Sequence, residues 1–97
     1  MARTYNQTPT EKIDYAVNLS GGDLITSSAW TSTASDGGVA LTIGTPVTSP
    51  DAGPIKTTAR ISAVRNKITF VVKVHIVGAT GQEYDHYFNI LGSLEKN

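Results

Sequence analysis

The side chains with the means to do chemistry are two histidines, His75 and His86, and the carboxylates Asp14, Asp23, Asp36, Asp51, Glu83 and Asp85. Both histidines fall in two runs, residues 67–77 (KITFVVKVHIV) and 83–91 (EYDHYFNIL), joined by GATGQ. Alternation in these runs predicts an antiparallel hairpin with Val72 opposite Phe88, Phe70 opposite Ile90 and Ile76 opposite Tyr84. In that register His75 points outward beside Asp85, while His86 points inward opposite Val74. Two histidines on opposite faces cannot hold one metal, and no third ligand has the spacing of a zinc site. Glu83 and Asp85 point the same way, but a glycosidase pair must flank a cleft, and nothing in the sequence builds one. Asp36-Gly37-Gly38 and Asp51-Ala52-Gly53 have turn chemistry without the alternating oxygen ligands of a calcium loop. No glycine-rich loop precedes a helix, so a nucleotide site has no support. Ser, His and Asp are all present without a spacing that orders a triad. The expectation is no catalytic residue, no metal, no cofactor and no enzymatic activity.

The elements that position these residues all read as strands. Ile68, Phe70, Val72, Val74 and Ile76 have the two-residue period of a strand with one buried face, and Val and Ile suit a pleated surface. Gly81 stands where a three-residue Ala79-Thr80-Gly81 loop needs a positive φ. Residues 12–19 alternate with Ile13, Tyr15, Val17 and Leu19 inward, and Ser20-Gly21-Gly22-Asp23 breaks the run as a turn. In LITSSAWT, Ile25 and Trp30 have opposite parity. A β-bulge near Ser27-Ser28 would bring Trp30 to the core, where a lone tryptophan supplies much of the aromatic burial. Residues 32–38 read as a loop. Val39, Leu41 and Ile43 read as a short strand, and residues 44–54 as a long irregular stretch whose prolines argue against a central strand. Residues 55–64 alternate again, with Ile55, Thr57, Ala59 and Ile61 on one face. Short strands, no helical period and a proline-rich crossover point to a β-sandwich.

Composition sets the outer bounds. Ninety-seven residues suit one domain. Eight basic and eight acidic side chains cancel to a net charge of zero and form no block, so neither nucleic acid nor an anionic membrane is an expected partner. There is no cysteine, which removes disulfides, thiolate nucleophiles and cysteine-based zinc sites together. No stretch has the length and apolarity of a membrane span, and the start of the chain lacks the apolar core of a signal peptide. Synthesis in a cytoplasm is the default expectation.

Lys67-Ile68-Thr69-Phe70-Val71-Val72 resembles the G-T-x-Y-x-V start of strand F in fibronectin type III and immunoglobulin-like domains. Phe70 stands in place of the tyrosine whose hydroxyl makes the tyrosine corner. A broader likeness runs over residues 11–91, through Asp14-Tyr15, Ile25-Thr26-Ser27-Ser28-Ala29-Trp30-Thr31, residues 39–43, Ala59-Arg60-Ile61-Ser62, and Gly81 through His86, Phe88 and Ile90. In these the chain resembles small immunoglobulin-like proteins encoded among the structural genes of tailed bacteriophages. It departs from them at Ser20-Gly21-Gly22-Asp23, where another tryptophan is usual. It departs also at Ala63 and Val64, where glycines are expected, and at His86, where a basic residue is usual.

The resemblance implies an all-β, immunoglobulin-like sandwich of six to seven antiparallel strands over residues 12–92. Residues 1–11 lack periodicity and read as a frayed terminus or as an extended N-terminal arm ordered against a neighbouring subunit, and residues 93–97 read as a C-terminal tail. The resemblance further implies a virion structural protein, made in the host cytoplasm, decorating the capsid exterior or forming a head fibre at repeated sites. The alternatives are a neck or tail accessory component and a carbohydrate- or host-surface-binding module. Expected partners are other virion proteins, capsid or neck and tail subunits, and copies of the chain itself, with no nucleic acid, membrane or small-molecule substrate. The candidate interface residues are Arg3 and Tyr5 in the arm, expected to lie on a neighbouring chain, and Val71, Val77, Tyr87 and Leu91. The last four point outward by parity, covered either by a neighbour or by the tail.

Overall fold

A two-residue alternation can bury one face only by forming sheets. The computed structural model describes residues 3–19, 23–49 and 55–93, and contains eight strands and, among those residues, no helix. They are β1 (Arg3–Gln7), β2 (Ile13–Asn18), β3 (Ile25–Ala34), β4 (Thr42–Ile43), β5 (Val47–Ser49), β6 (Lys56–Ser62), β7 (Thr69–Gly78) and β8 (Glu83–Gly92). One sheet has the order β1-β8-β7-β3; the other has the order β2-β6-β4, with β5 also paired to β6. Every pairing is antiparallel except β1 with β8, which is parallel. The two sheets share one core in a sandwich-like arrangement. Tyr15, Ala59 and Ile61 of the second pack with Trp30, Phe70, Val72 and Phe88 of the first.

The β7–β8 hairpin has the register that its alternation predicts: Phe70 faces Ile90, Val72 faces Phe88 and Ile76 faces Tyr84. Phe70, Val72, Val74, Ile76 and Ile90 are all fully buried. At the turn the Gly78 N–H donates to the Gln82 carbonyl (2.8 Å) and the Gly81 N–H to the Gly78 carbonyl (3.0 Å). Gly81 has φ +90°, a conformation that a side chain would strain. In β3 the register shifts between Ile25 and Ser27, one residue before the expected bulge. The shift brings Ile25 and Trp30 to the same buried face. Trp30 Nε1 then donates to Thr57 Oγ1 (3.1 Å), and Ser28 Oγ lies 2.9 Å from the same hydroxyl. Thr57 is on β6, so this fully buried hydroxyl ties one sheet to the other.

Three expectations need correction. The N-terminal segment does not lie free as an arm for another chain. Residues 3–7 form β1, with Arg3 opposite Phe88, Tyr5 opposite Ile90 and Gln7 opposite Gly92. The reason is Gln7, which is fully buried. Its Nε2 donates to the carbonyls of Glu11 and Ile61 (2.9 Å each), and its Oε1 accepts from the Tyr15 hydroxyl (2.9 Å). A buried amide with every polar group satisfied anchors a strand that has little apolar surface of its own. Among the described residues there are therefore eight strands, and one pairing is parallel.

Second, the loop expected at residues 32–38 starts later. β3 continues to the buried Ala34, and the Ser35 N–H still donates to the Thr69 carbonyl (2.9 Å). Third, the strand expected over Val39, Leu41 and Ile43 shrinks to Thr42–Ile43, leaving Val39 77% exposed. Its carbonyl is taken by Arg65 Nη2 (3.1 Å), so the chain there follows an arginine rather than a ladder. Within the stretch expected to be irregular, Val47–Ser49 adds β5 to the edge of β6. Asp51-Ala52-Gly53, Ser20-Gly21-Gly22 and residues 94–97 of the expected tail lie outside the described residues.

Candidate interaction surface

Residues that alternate away from the core make the outer face of the β7–β8 hairpin. Its cross-strand pairs are Thr69 with Leu91, Val71 with Asn89, Lys73 with Tyr87, His75 with Asp85, and Val77 with Glu83. Val71 is 42% exposed and Tyr87 53%, while Val77 and Leu91 are half-buried. Tyr87 and Leu91 are the diagonal neighbours of Val71 on either side of Asn89, so these three make one patch. Val77 stands apart, beyond the His75 pair.

His75 is clasped from both sides. Its Nδ1 lies 2.6 Å from Asp85 Oδ1 and its Nε2 2.8 Å from Glu83 Oε1. A neutral imidazole donates through one nitrogen only, so this double contact favours the imidazolium. The hydrogen bond to Asp85, followed by that to Glu83, raises the His75 pKa, and the bond to His75 lowers that of Asp85. With both nitrogens engaged, the ring offers no lone pair to a metal. Among the described residues no three acidic or histidine side chains are arranged to hold one. His86 is half-buried opposite Val74.

The other two interface candidates lie elsewhere. Arg3 and Tyr5 pair with the inward-facing residues of β8. The Tyr5 ring meets Tyr15 at 5.4 Å and Phe88 at 5.7 Å, both edge to face. Tyr5 thus extends the aromatic cluster of Tyr15, Phe88 and Trp30 and does not join the outer patch.

Two polar sites escape a reading based on residue types. Asp23, expected as part of a turn, is only 7% exposed. Its carboxylate accepts from the N–H of Leu24 (2.9 Å) and Thr80 (3.3 Å) and from the hydroxyls of Thr80 (2.7 Å) and Tyr84 (2.9 Å). The Thr80 hydroxyl bond is the largest cause of its lowered pKa. A Cβ on Gly78 would run into Asp23 Oδ2, so glycine at the end of β7 makes room for this anchor. Asp36 receives both terminal nitrogens of Arg65 (2.7 and 2.9 Å), and the guanidinium holds its pKa down to about 2. Arg65 also sits 5.6 Å from the centre of the Phe70 ring. Each of these two carboxylates bonds to a segment distant in the chain, Asp23 to Thr80 and Tyr84 and Asp36 to Arg65, and so clamps loops together. On the other sheet, Asp14 and Arg60 pair at 2.9 Å in a shallow groove with Gly44, Thr45, Val47 and Thr58.

No protein-family model matches this chain, and no curated protein matches it.

Proposed function

We propose that this protein is a non-enzymatic, immunoglobulin-like structural component of a tailed-phage particle. In this reading it decorates the capsid and docks through the outer face of β7 and β8. The strand order supports the finer fold assignment: β2, β6 and β4 stand as B, E and D, and β3, β7 and β8 as C, F and G. The motif resemblance over residues 11–91 supports the phage setting. The observation that carries the docking role is the patch of exposed Val71 and Tyr87 with half-buried Leu91 on the β7–β8 hairpin, whose register runs without a shift. Exposed apolar groups on a rigid face suit burial against a partner, and a particle repeats that contact at every symmetric site. Lys73 beside the patch guards it against indiscriminate aggregation. A carbohydrate platform has less support, because Trp30 and Tyr84 are committed to internal hydrogen bonds, and the ring diagonal to Tyr87, that of His75, is engaged by Asp85 and Glu83.

The test is the copy number of the protein in purified particles of a phage that encodes it, by quantitative mass spectrometry. Many copies per particle are expected. A few copies would move the role to the neck or tail, and absence from the particle would overturn the reading.

A further inference from the structure

We infer that β3 is a self-pairing edge, and that two copies of the chain join there antiparallel into one continuous eight-stranded sheet. The Ser35 N–H bonds to the Thr69 carbonyl, so the odd-numbered residues from Ser27 to Thr33 turn their backbone groups toward β7. Ser28, Trp30 and Ser32 turn theirs the opposite way, where no described strand pairs with them. An open edge of this kind is a template for another strand unless charge, proline or shortness blocks it. The other free edges are blocked. β1 has five residues and carries Arg3, β2 carries Asp14, and β4 and β5 have two and three residues. The part of β8 beyond β1 carries Glu83 and Asp85. β3 has ten residues, no charge and no proline.

The occupant is a second copy because the edge is self-complementary. A two-fold axis at Trp30 sets Trp30 opposite Trp30 of the second copy and Ser28 opposite Ser32. Three such pairs with two bonds each give about six new backbone hydrogen bonds. On the outer face the same register sets Ala29 against Thr31, small side chains without charge. The chain has zero net charge, so no long-range repulsion opposes the approach of two copies. The two-fold consumes both edges, so association closes at the dimer. This inference stands apart from the phage reading, since the edge is the same whatever surface β7 and β8 meet.

The test is sedimentation equilibrium of the full chain across a wide concentration range, with amide exchange as the local readout. The wild type is expected to dimerise, with the Trp30 amide protected at high concentration and exchanging faster on dilution. Ala29 and Thr31 are exposed, so Ala29→Lys with Thr31→Lys spares the buried face of β3 and sets lysine against lysine twice across the join. Within the sheet the new lysines stand opposite His75 and Lys73, so a melting curve checks that the variant is folded. That variant is expected to dimerise at least about tenfold more weakly. Mixing it with Ala29→Glu/Thr31→Glu protein is expected to restore a dimer. A wild type that stays monomeric at every concentration overturns the inference, even if its edge accepts some foreign strand. So does a dimer indifferent to the lysine pair, or a mixture that fails to reassociate.

Discussion

The β1-β8-β7-β3 sheet and the β2-β6-β4 sheet enclose one core but hold to it by different means. The first has three ten-residue strands, and the inner faces of β7 and of the second half of β8 are apolar, with Phe70, Val72, Val74, Ile76 and Ile90 fully buried. The second has strands of two to seven residues. Its inner face mixes Ala59 and Ile61 with Thr57 and Tyr15, whose polar atoms are bonded to the opposite sheet. Burial of apolar area is non-directional, so it favours the stacking of the sheets without fixing how they are offset. Hydrogen bonds from Trp30 to Thr57 and from Gln7 to the Ile61 carbonyl are directional and do fix it. The long sheet therefore supplies cohesion, and the short one is held in place by a few polar links.

Breaking the cohesive side has the largest expected effect. Phe70→Ala should destabilise the domain by about 3–5 kcal/mol, the usual cost of deleting a buried aromatic side chain. Thr69→Ala, its half-buried neighbour on the opposite face, should matter far less. Equal shifts in a denaturant titration would contradict the assignment of faces.

Breaking the links should cost less per site and should report on the offset of the sheets. Gln7→Ala leaves the Tyr15 hydroxyl and the Ile61 carbonyl without their partner, at about 1–3 kcal/mol. Thr57→Val keeps the shape of the side chain but removes the acceptor of Trp30, at about 1–2 kcal/mol. Deleting residues 1–10 removes Gln7 together with the whole of β1. The truncated domain should therefore melt well below the full chain, and an unchanged melting curve would mean that β1 is not part of the fold.

Two of the exposed ion pairs should respond to pH in opposite directions. Asp36 has a folded pKa of about 2, below its unfolded value of about 3.9. Its contribution is present above the unfolded value and is lost as pH falls between about 4 and 2. His75 is shifted the other way. Its contribution is complete below its unfolded value of about 6.5 and is lost as pH rises through the raised folded value. The stability gap between wild type and Asp36→Asn should close in acid, and that between wild type and His75→Gln should close toward alkaline pH. Thermal melts at stepped pH read both, and a gap that closes in the opposite direction would contradict the pairing.

The smallest effect tests a connection between the sheets. Ala63 has φ +66°, and in the resemblance drawn from the sequence a glycine is expected there. Relief of the left-handed strain in Ala63→Gly should offset the flexibility gained by the unfolded chain and leave a gain of under about 1 kcal/mol. Ala63→Val should lose stability, because a β-branched side chain is poorly accommodated at that φ.

The same contrast explains what the sequence made legible. The hairpin, its register, its glycine turn and the bulge before Trp30 all leave their mark in alternation, since apolar inner faces impose a two-residue period. β1 leaves no such mark. Its inward positions are Arg3, Tyr5 and Gln7, and the last is buried by bonds to residues from β2 and β6. Asp23 reads as a turn residue because its partners Thr80 and Tyr84 are distant in the chain and come near only in the fold. Their signal was present in Gly78, a residue without a side chain at the end of an otherwise bulky strand. Parity places Val71, Val77, Tyr87 and Leu91 on the outer face, where the structure has them. Arg3 and Tyr5 lie in a segment without a period, and only the pairing of β1 with β8 locates them.

The central claim is that the outer patch of β7 and β8 docks on a phage particle, and occupancy of particles by a surface variant tests it most directly. Val71→Lys with Tyr87→Ala changes two exposed side chains and leaves the buried faces of both strands untouched. Particles assembled with wild-type or variant protein would be purified and their copy numbers compared by mass spectrometry, with melting curves of the free proteins alongside. With the free protein held well below saturation, the expected result is an occupancy reduced about tenfold, as loss of roughly 1.4 kcal/mol per site would give, with the melting temperature nearly unchanged. Full occupancy by a folded variant would contradict the claim.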